Sequence, residues 1–306
     1  MKILNIILAV LGMVGLATAQ ENVLIADGSS SGTYKAFLKE IQTAVGTAIV
    51  FQEVESHGAV ENLDLLVTNK VSMAFMHSDV LDFRSKREDL SSFKTLLTLF
   101  KEEVHFVAPR VSKRPPTKTG GTFGFGGTIT PPPIVNTVED LKGLRVGASG
   151  GSAITAQVIK LMGEIPYEFV SFDKGDEVFA ALNSGTIDAA VFVGGAPLPN
   201  LEQLGRDYKL LSIGEKTRNL LKSVYSDATI TYSKMDPAGV TTVAADALLV
   251  AKNYKSPKMI NILSTVRNSF AKSLLDLQET PGIHKKWQEV SIDAKAKWPM
   301  LELPKQ

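Results

Sequence analysis

Short apolar runs alternate along the chain with longer segments whose apolar residues recur at three- and four-residue steps. Val23-Leu24-Ile25-Ala26 predicts a first strand, running into a turn of small and polar residues, Asp27-Gly28-Ser29-Ser30-Ser31-Gly32. Tyr34, Phe37, Leu38 and Ile41 then share one face of a predicted helix over 33–45. Strands are predicted over 48–54, 72–76, 95–100 and 104–108, with a helix over 60–67. The pattern restarts with a short capped helix over 137–141 and a strand over 144–147. A small-residue turn, Ala148-Ser149-Gly150-Gly151-Ser152, and a helix over 153–162 follow. Strands over 168–172, 187–193 and 208–212 alternate with helices over 178–183, 198–204 and 215–224, and two further helical patterns cover 257–275 and 283–290. Strands alternating with helices argue for an α/β protein with covered sheets. The unit strand, small-residue turn, helix occurs twice, over 23–45 and 144–162, which predicts two similarly built lobes rather than one large sheet.

Two segments stand outside this rhythm. Residues 111–134 hold prolines at 115–116 and 131–133 and five glycines between 120 and 127, a composition that packs no core and predicts a surface loop or insert. At the N-terminus, Lys2 precedes a run from 3 to 16 in which Asn5 is the one polar residue, and Ala17-Thr18-Ala19 follows. A charged start, a short apolar core and an A-x-A end predict a secretory signal peptide cleaved after Ala19. The run is shorter than the ~20 residues that span a bilayer. The expected destination is the periplasm. Lys2 is the only charged residue of 1–19, so basic and acidic side chains balance over 20–306. No basic block argues for nucleic acid. The chain has no cysteine, which excludes disulfides, a thiol nucleophile and a lipid anchor at the cleavage site.

Chemistry is sparse. His57, His77, His105 and His284 fall in no metal-ligand spacing. No phosphate-binding Gly-Lys-Ser/Thr loop occurs. No metal, no cofactor and no enzymatic activity is expected. The two turns remain. Each places backbone N–H groups at a helix N-terminus, where unpaired donors and the helix dipole favour an anion. Glycine allows close approach and serine hydroxyls add hydrogen bonds. Facing each other across a cleft, the turns would hold a carboxylate from both sides; ordinary helix capping by Ser and Thr is the competing account of each turn.

In order and spacing, these segments resemble the TAXI family of extracytoplasmic solute receptors. Asp27-Gly28-Ser29-Ser30-Ser31-Gly32-Thr33-Tyr34 is similar to the family's opening ending in Gly-Thr-Tyr. His57-Gly58-Ala59-Val60-Glu61-Asn62-Leu63 is similar to Gly-Ser-Val-x-Asn-Leu, and His77-Ser78-Asp79-Val80 to Gln-Ser-Asp-Val. Leu141-Lys142-Gly143, Ser149-Gly150-Gly151-Ser152, Gly185-Thr186-Ile187-Asp188-Ala189 and Gly194-Gly195-Ala196-Pro197 continue the series. The resemblance implies a two-lobed type II periplasmic-binding-protein fold with a ligand cleft between the lobes. Residues 20–108 with 243–306 would form lobe 1, and 109–242 lobe 2. It implies a small carboxylate or amino-acid ligand, delivery to a TRAP-type membrane permease, and a site formed by Ser30, Tyr34, Ser78, Asp79, Ser149, Ser152 and Gly195. Two other readings stand beside it: an exported enzyme with His77 and Asp79 as acid and base, and a sensor or interaction protein working through the insert.

Overall fold

In the computed structural model, which describes residues 20–28, 32–120 and 128–304, a strand feeding a helix is present at both places of the duplicated unit; in the second the helix begins at Gly150 directly after the strand, so the turn expected over 148–152 is strand end and helix start. The export signal expected over 1–19, Ser30 and the glycine-rich centre of the insert lie outside the described residues. In the first unit β1 (Glu21–Gly28) leads into α1 (Thr33–Val45). After it come β2 (Ile49–Glu55), α2 (Ala59–Val67), β3 (Met73–His77) and α3 (Ser78–Arg84). The chain then crosses on one 17-residue strand, β4 (Phe93–Pro109). The described parts of the insert pair as a small hairpin, β5 (Thr117–Thr119) with β6 (Thr128–Thr130). The second unit is β7 (Arg145–Ser149) and α4 (Gly150–Met162). Next come β8 (Glu168–Phe172), α5 (Gly175–Ser184) and β9 (Ala189–Gly194). They are followed by α6 (Pro199–Glu202), β10 (Tyr208–Leu210), α7 (Glu215–Leu221) and β11 (Ser226–Tyr232). A second 17-residue strand, β12 (Asp236–Lys252), returns, and α8 (Pro257–Glu279) and a 3-10 turn over Lys285–Glu289 close the chain.

Pairing is continuous in the order β2-β1-β3-β12-β4-β9-β7-β8, with β10 on β4 and β11 on β12; contrary to the expectation from sequence this is one ten-stranded sheet, because the long strands β4 and β12 join the two halves. Its two halves repeat one scheme. β1 runs parallel to β2 and β3, and β3 meets β12 antiparallel. Likewise β7 runs parallel to β8 and β9, and β9 meets β4 antiparallel. Only β4 and β12 serve both halves, and they pair with each other from Phe93 to Glu103. A strand covered on both faces must be apolar along its whole length rather than alternating. The C-terminal half of β12 obeys this: Val243 to Ala251 is buried throughout, with Asp246 the one charge.

Helices cover both faces. On one side of the first half, Phe37 and Ile41 of α1 meet Phe270 and Leu274 of α8 in one cluster, and Trp287 stacks on Phe37 with ring centroids 4.5 Å apart. On the other side, Leu63 and Leu66 of α2 and Leu81 of α3 share a core with Ala153, Ile154 and Val158 of α4. Apolar packing therefore runs from one lobe into the other beneath α4. Gly147, at the centre of β7, fits because it has no side chain: a Cβ there would lie 2.6 Å from Ile187 Cδ1 and 2.8 Å from Phe172 Cε2. Gly147→Ala is expected to lower stability by about 1–3 kcal/mol through overpacking, read by thermal or denaturant unfolding. A neutral result would show that Ile187 and Phe172 can swing aside.

Candidate functional site

In sheets of this kind ligands bind beyond the C-terminal ends of the parallel strands, where the turns leave a crevice. Here those ends converge. Asp27 and Gly28 end β1, His77 ends β3, Ser149 ends β7, and Val193 and Gly194 end β9. All of them line one cleft of about 220 Å³, closed further by Tyr34, His57, Glu102 and Leu198.

The N-termini of α1 and α4 border this cleft, as do Gly58 and Ala59 at the start of α2 and His77, the cap of α3. The cap residues are Gly32 for α1 and Ser149 for α4, and neither makes a side-chain cap hydrogen bond. The first-turn N–H groups keep their partial positive charge for whatever enters. Gly28, at φ +114°, lets the chain turn from β1 toward α1 in a backbone region that other residues avoid.

The side chains around the cleft form a buried polar network. Tyr34, stacked on Phe75 at 5.3 Å, donates its hydroxyl to Glu102. Burial raises the Glu102 pKa, against the opposing pull of His77 and Tyr34. His77 is hydrogen-bonded through Nδ1 to Asp79, and Asp79 accepts from Thr155 and Tyr225 at 2.6 Å each. Burial alone would raise the Asp79 pKa, but His77 and the two hydroxyl donors hold it below the usual aspartate range. Burial would likewise lower that of His77, and the Asp79 carboxylate overrides it upward. Thr155 lies on α4 and Tyr225 precedes β11, so Asp79 ties α3 to the second half of the molecule.

Asp27 differs from all of these. It is 1% exposed, and neither carboxylate oxygen has a hydrogen-bond partner among the described residues. Burial and the nearby Glu53 charge raise its pKa, with Lys35 and the Asp27 and Gly28 backbone amides opposing.

Of the residues singled out from sequence, Tyr34, Ser149 and Ser152 border the cleft together. Ser152 Oγ also accepts the Val193 amide at 3.0 Å, which fixes the end of β9. Ser78, Asp79 and Gly195 do not border it. Ser78 is fully buried and accepts the Asp246 amide at 3.2 Å. Asp79 stands behind His77, and Gly195 packs against Lys286 and Phe100. Lys286 is itself buried, paired with Glu103 at 2.5 Å. Ser30 lies outside the described residues. Sequence reasoning missed Asp27, Glu102, Val193 and Leu198. Asp27 carries a signal, a lone charge directly after an apolar strand, but in the sequence it is indistinguishable from a turn residue. No group of His, Asp or Glu among the described residues is placed to hold a metal.

Comparison with solved structures settles the fold. The crystal structure of the substrate-binding protein of an amino acid ABC transporter aligns with 87% of this chain and 98% of its own, at TM-score 0.51 and 15% identity. The chain has the two-lobed type II periplasmic-binding-protein fold, with a cleft between the lobes. An ancestral arginine-binding protein bound to arginine aligns at TM-score 0.49 and 15% identity, covering 84% of this chain and 94% of its own. An arginine-bound amino acid ABC transporter substrate-binding protein from Streptococcus pneumoniae Canada MDR_19A aligns at 0.49 and 14%, covering 88% and 95%. At these identities the likeness speaks to fold alone. No family profile and no curated protein sequence matches the chain.

Proposed function

We propose that this chain is an extracytoplasmic solute-binding receptor of the TAXI type, which captures a small carboxylate-bearing molecule, an amino acid or organic acid, between its lobes. The observation that carries this reading is the convergence of two uncapped helix N-termini and four parallel strand ends on one cleft. The ligand carboxylate sits at the first turn of α4, with α1 approaching from the opposite lobe. Lobe 1 comprises 20–108 and 243–306 and lobe 2 comprises 109–242, so the boundaries fall within β4 and β12, the two strands that serve both halves. Those strands act as the hinge. The open form binds ligand on one lobe, closure adds the other, and a TRAP-type permease reads the closed form.

Residues 1–19 direct export to the periplasm and are removed after Ala19. Among the described residues no helix is long and apolar enough to cross a membrane. Binding rather than catalysis is supported by the likeness in fold to the substrate-binding protein of an amino acid ABC transporter.

The test is the double variant Tyr34→Ala with Ser152→Ala, assayed by thermal shift against amino acids and dicarboxylates. In the wild type, ligand at about 100 times its Kd adds about 2.7 kcal/mol. The variant is expected to stay folded and lose that increment; an unchanged increment would remove these residues from the site.

A further inference from the structure

We propose that the ligand of this cleft also carries a positively charged group, an ammonium or guanidinium, seated on the Asp27 carboxylate; the inference rests on the solute-receptor reading above. Among the described residues, the other carboxylates buried around the cleft have side-chain partners. Asp79 has His77, Thr155 and Tyr225. Glu102 has the Tyr34 hydroxyl, and Glu103 has Lys286 and the Ala196 amide. Among the described residues Asp27 has no side-chain partner, only the Asp27 and Gly28 backbone amides near its carboxylate, though it is as buried as they are and borders the cavity. A buried carboxylate without a donor is unfavourable, and folded chains rarely keep one that nothing satisfies. The nearby cation does not fill the role. The Lys35 ammonium bonds to Glu53, and both side chains of that pair are more than a third exposed.

Charge around the cavity points the same way. Its described lining contains two carboxylates, Asp27 and Glu102, and no Lys or Arg. A ligand with only negative groups would bring its charge against both of them, with the helix N-termini and the His57 and His77 rings as the groups left to hold it. A ligand with a cationic group satisfies both Asp27 oxygens through charge-assisted hydrogen bonds, in bidentate form for a guanidinium. Its carboxylate then reaches the α4 N-terminus on the opposite wall. A zwitterion of amino-acid size fits this layout, and a plain dicarboxylate does not.

The experiment compares pairs of probes on protein emptied by unfolding and refolding. L-glutamate is set against glutarate, which lacks only the amino group, and L-arginine and putrescine against succinate. Calorimetric titration of the wild type is expected to show at least tenfold tighter binding of one or more amino-bearing probes than of glutarate or succinate. Asp27→Asn is expected to lose at least tenfold toward those probes. Without any ligand, Asp27→Asn should melt at a higher temperature than the wild type, because it removes an unpaired buried charge. Equal or tighter binding of glutarate, undiminished in Asp27→Asn, would overturn the cationic group and leave the receptor intact. A lower melting temperature for empty Asp27→Asn would also overturn it, by giving Asp27 a partner within the fold. An emptied wild type that binds no probe of either class would overturn the receptor reading and this inference with it.

Discussion

Replacing Asp79 by alanine is expected to cost about 3–5 kcal/mol of folding stability, the range for removing one partner from a buried ion pair. The carboxylate is fully buried and accepts from His77, Thr155 and Tyr225. Truncation strands all three donors, whose desolvation is then uncompensated. Removing the donors instead, by Thr155→Val or Tyr225→Phe, should cost about 1 kcal/mol each, because one acceptor loses one of several bonds. The pH dependence follows from the two shifts. Asp79 is held below its ordinary value of 3.8, so its share of stability is present above that pH and is lost as pH falls through its lower folded pKa. His77 is raised above 6.5, so its share is complete below that pH and is lost as pH rises through the higher folded value. The pair contributes most between about pH 4 and pH 6.5, the interval between the two ordinary values. Asp79→Ala should therefore differ from the wild type most in that window, as denaturant titrations at stepped pH would show. A variant that stays as stable as the wild type and loses only ligand affinity would instead place Asp79 in contact with the ligand.

Gly151→Ala is expected to weaken ligand binding by more than tenfold, about 1.4 kcal/mol or more, while leaving each lobe folded. The added Cβ would collide with the His77 Nε2, and would lie 3.0 Å from His77 Cε1 and 3.2 Å from Ala59 Cβ. His77 cannot turn away easily, because Asp79 holds the other side of its ring. The strain is relieved by moving α4 away from β3 and α2, which separates the lobes at the cleft. Alanine is otherwise favoured over glycine within a helix by about 1 kcal/mol, so a loss of affinity would not reflect a poorer helix. Small-angle scattering should show a larger radius for the variant. Wild-type affinity and dimensions would mean that the lobes meet differently from this arrangement.

Much of the architecture was legible because both strand-turn-helix units announce themselves by periodicity. The helix expected over 33–45 and the strand over 168–172 have those limits in the fold. The long crossing strands were not legible. Lys101, Glu102 and Glu103 read as a break between two short strands, yet β4 runs through them. Lys101 reaches Asp246 and Glu103 reaches Lys286, so the charges are satisfied by β12 and by the C-terminal segment, both remote in sequence. β12 escaped notice because Ala244, Ala245 and Ala247 give no alternation and little β propensity; burial on both faces decides its conformation. The same limit governs the site. Ser149 and Ser152 fall in a run of small residues that is visible in the sequence. Asp27 and Glu102 acquire meaning only when the sheet brings β1 and β4 to one cavity.

The central claim is that a small molecule is held between the lobes at the ends of the parallel strands, and hydrogen–deuterium exchange tests it most directly. The protein is compared with and without the first probe compound that raises its melting temperature. Protection is expected in both lobes at once: around Gly28 and Thr33–Tyr34, at His57–Ala59, at Ser149–Ser152 and at Val193–Gly194. Protection confined to one lobe, or centred on the separate groove where Arg110–Lys113 faces Pro131–Val135, would contradict the account.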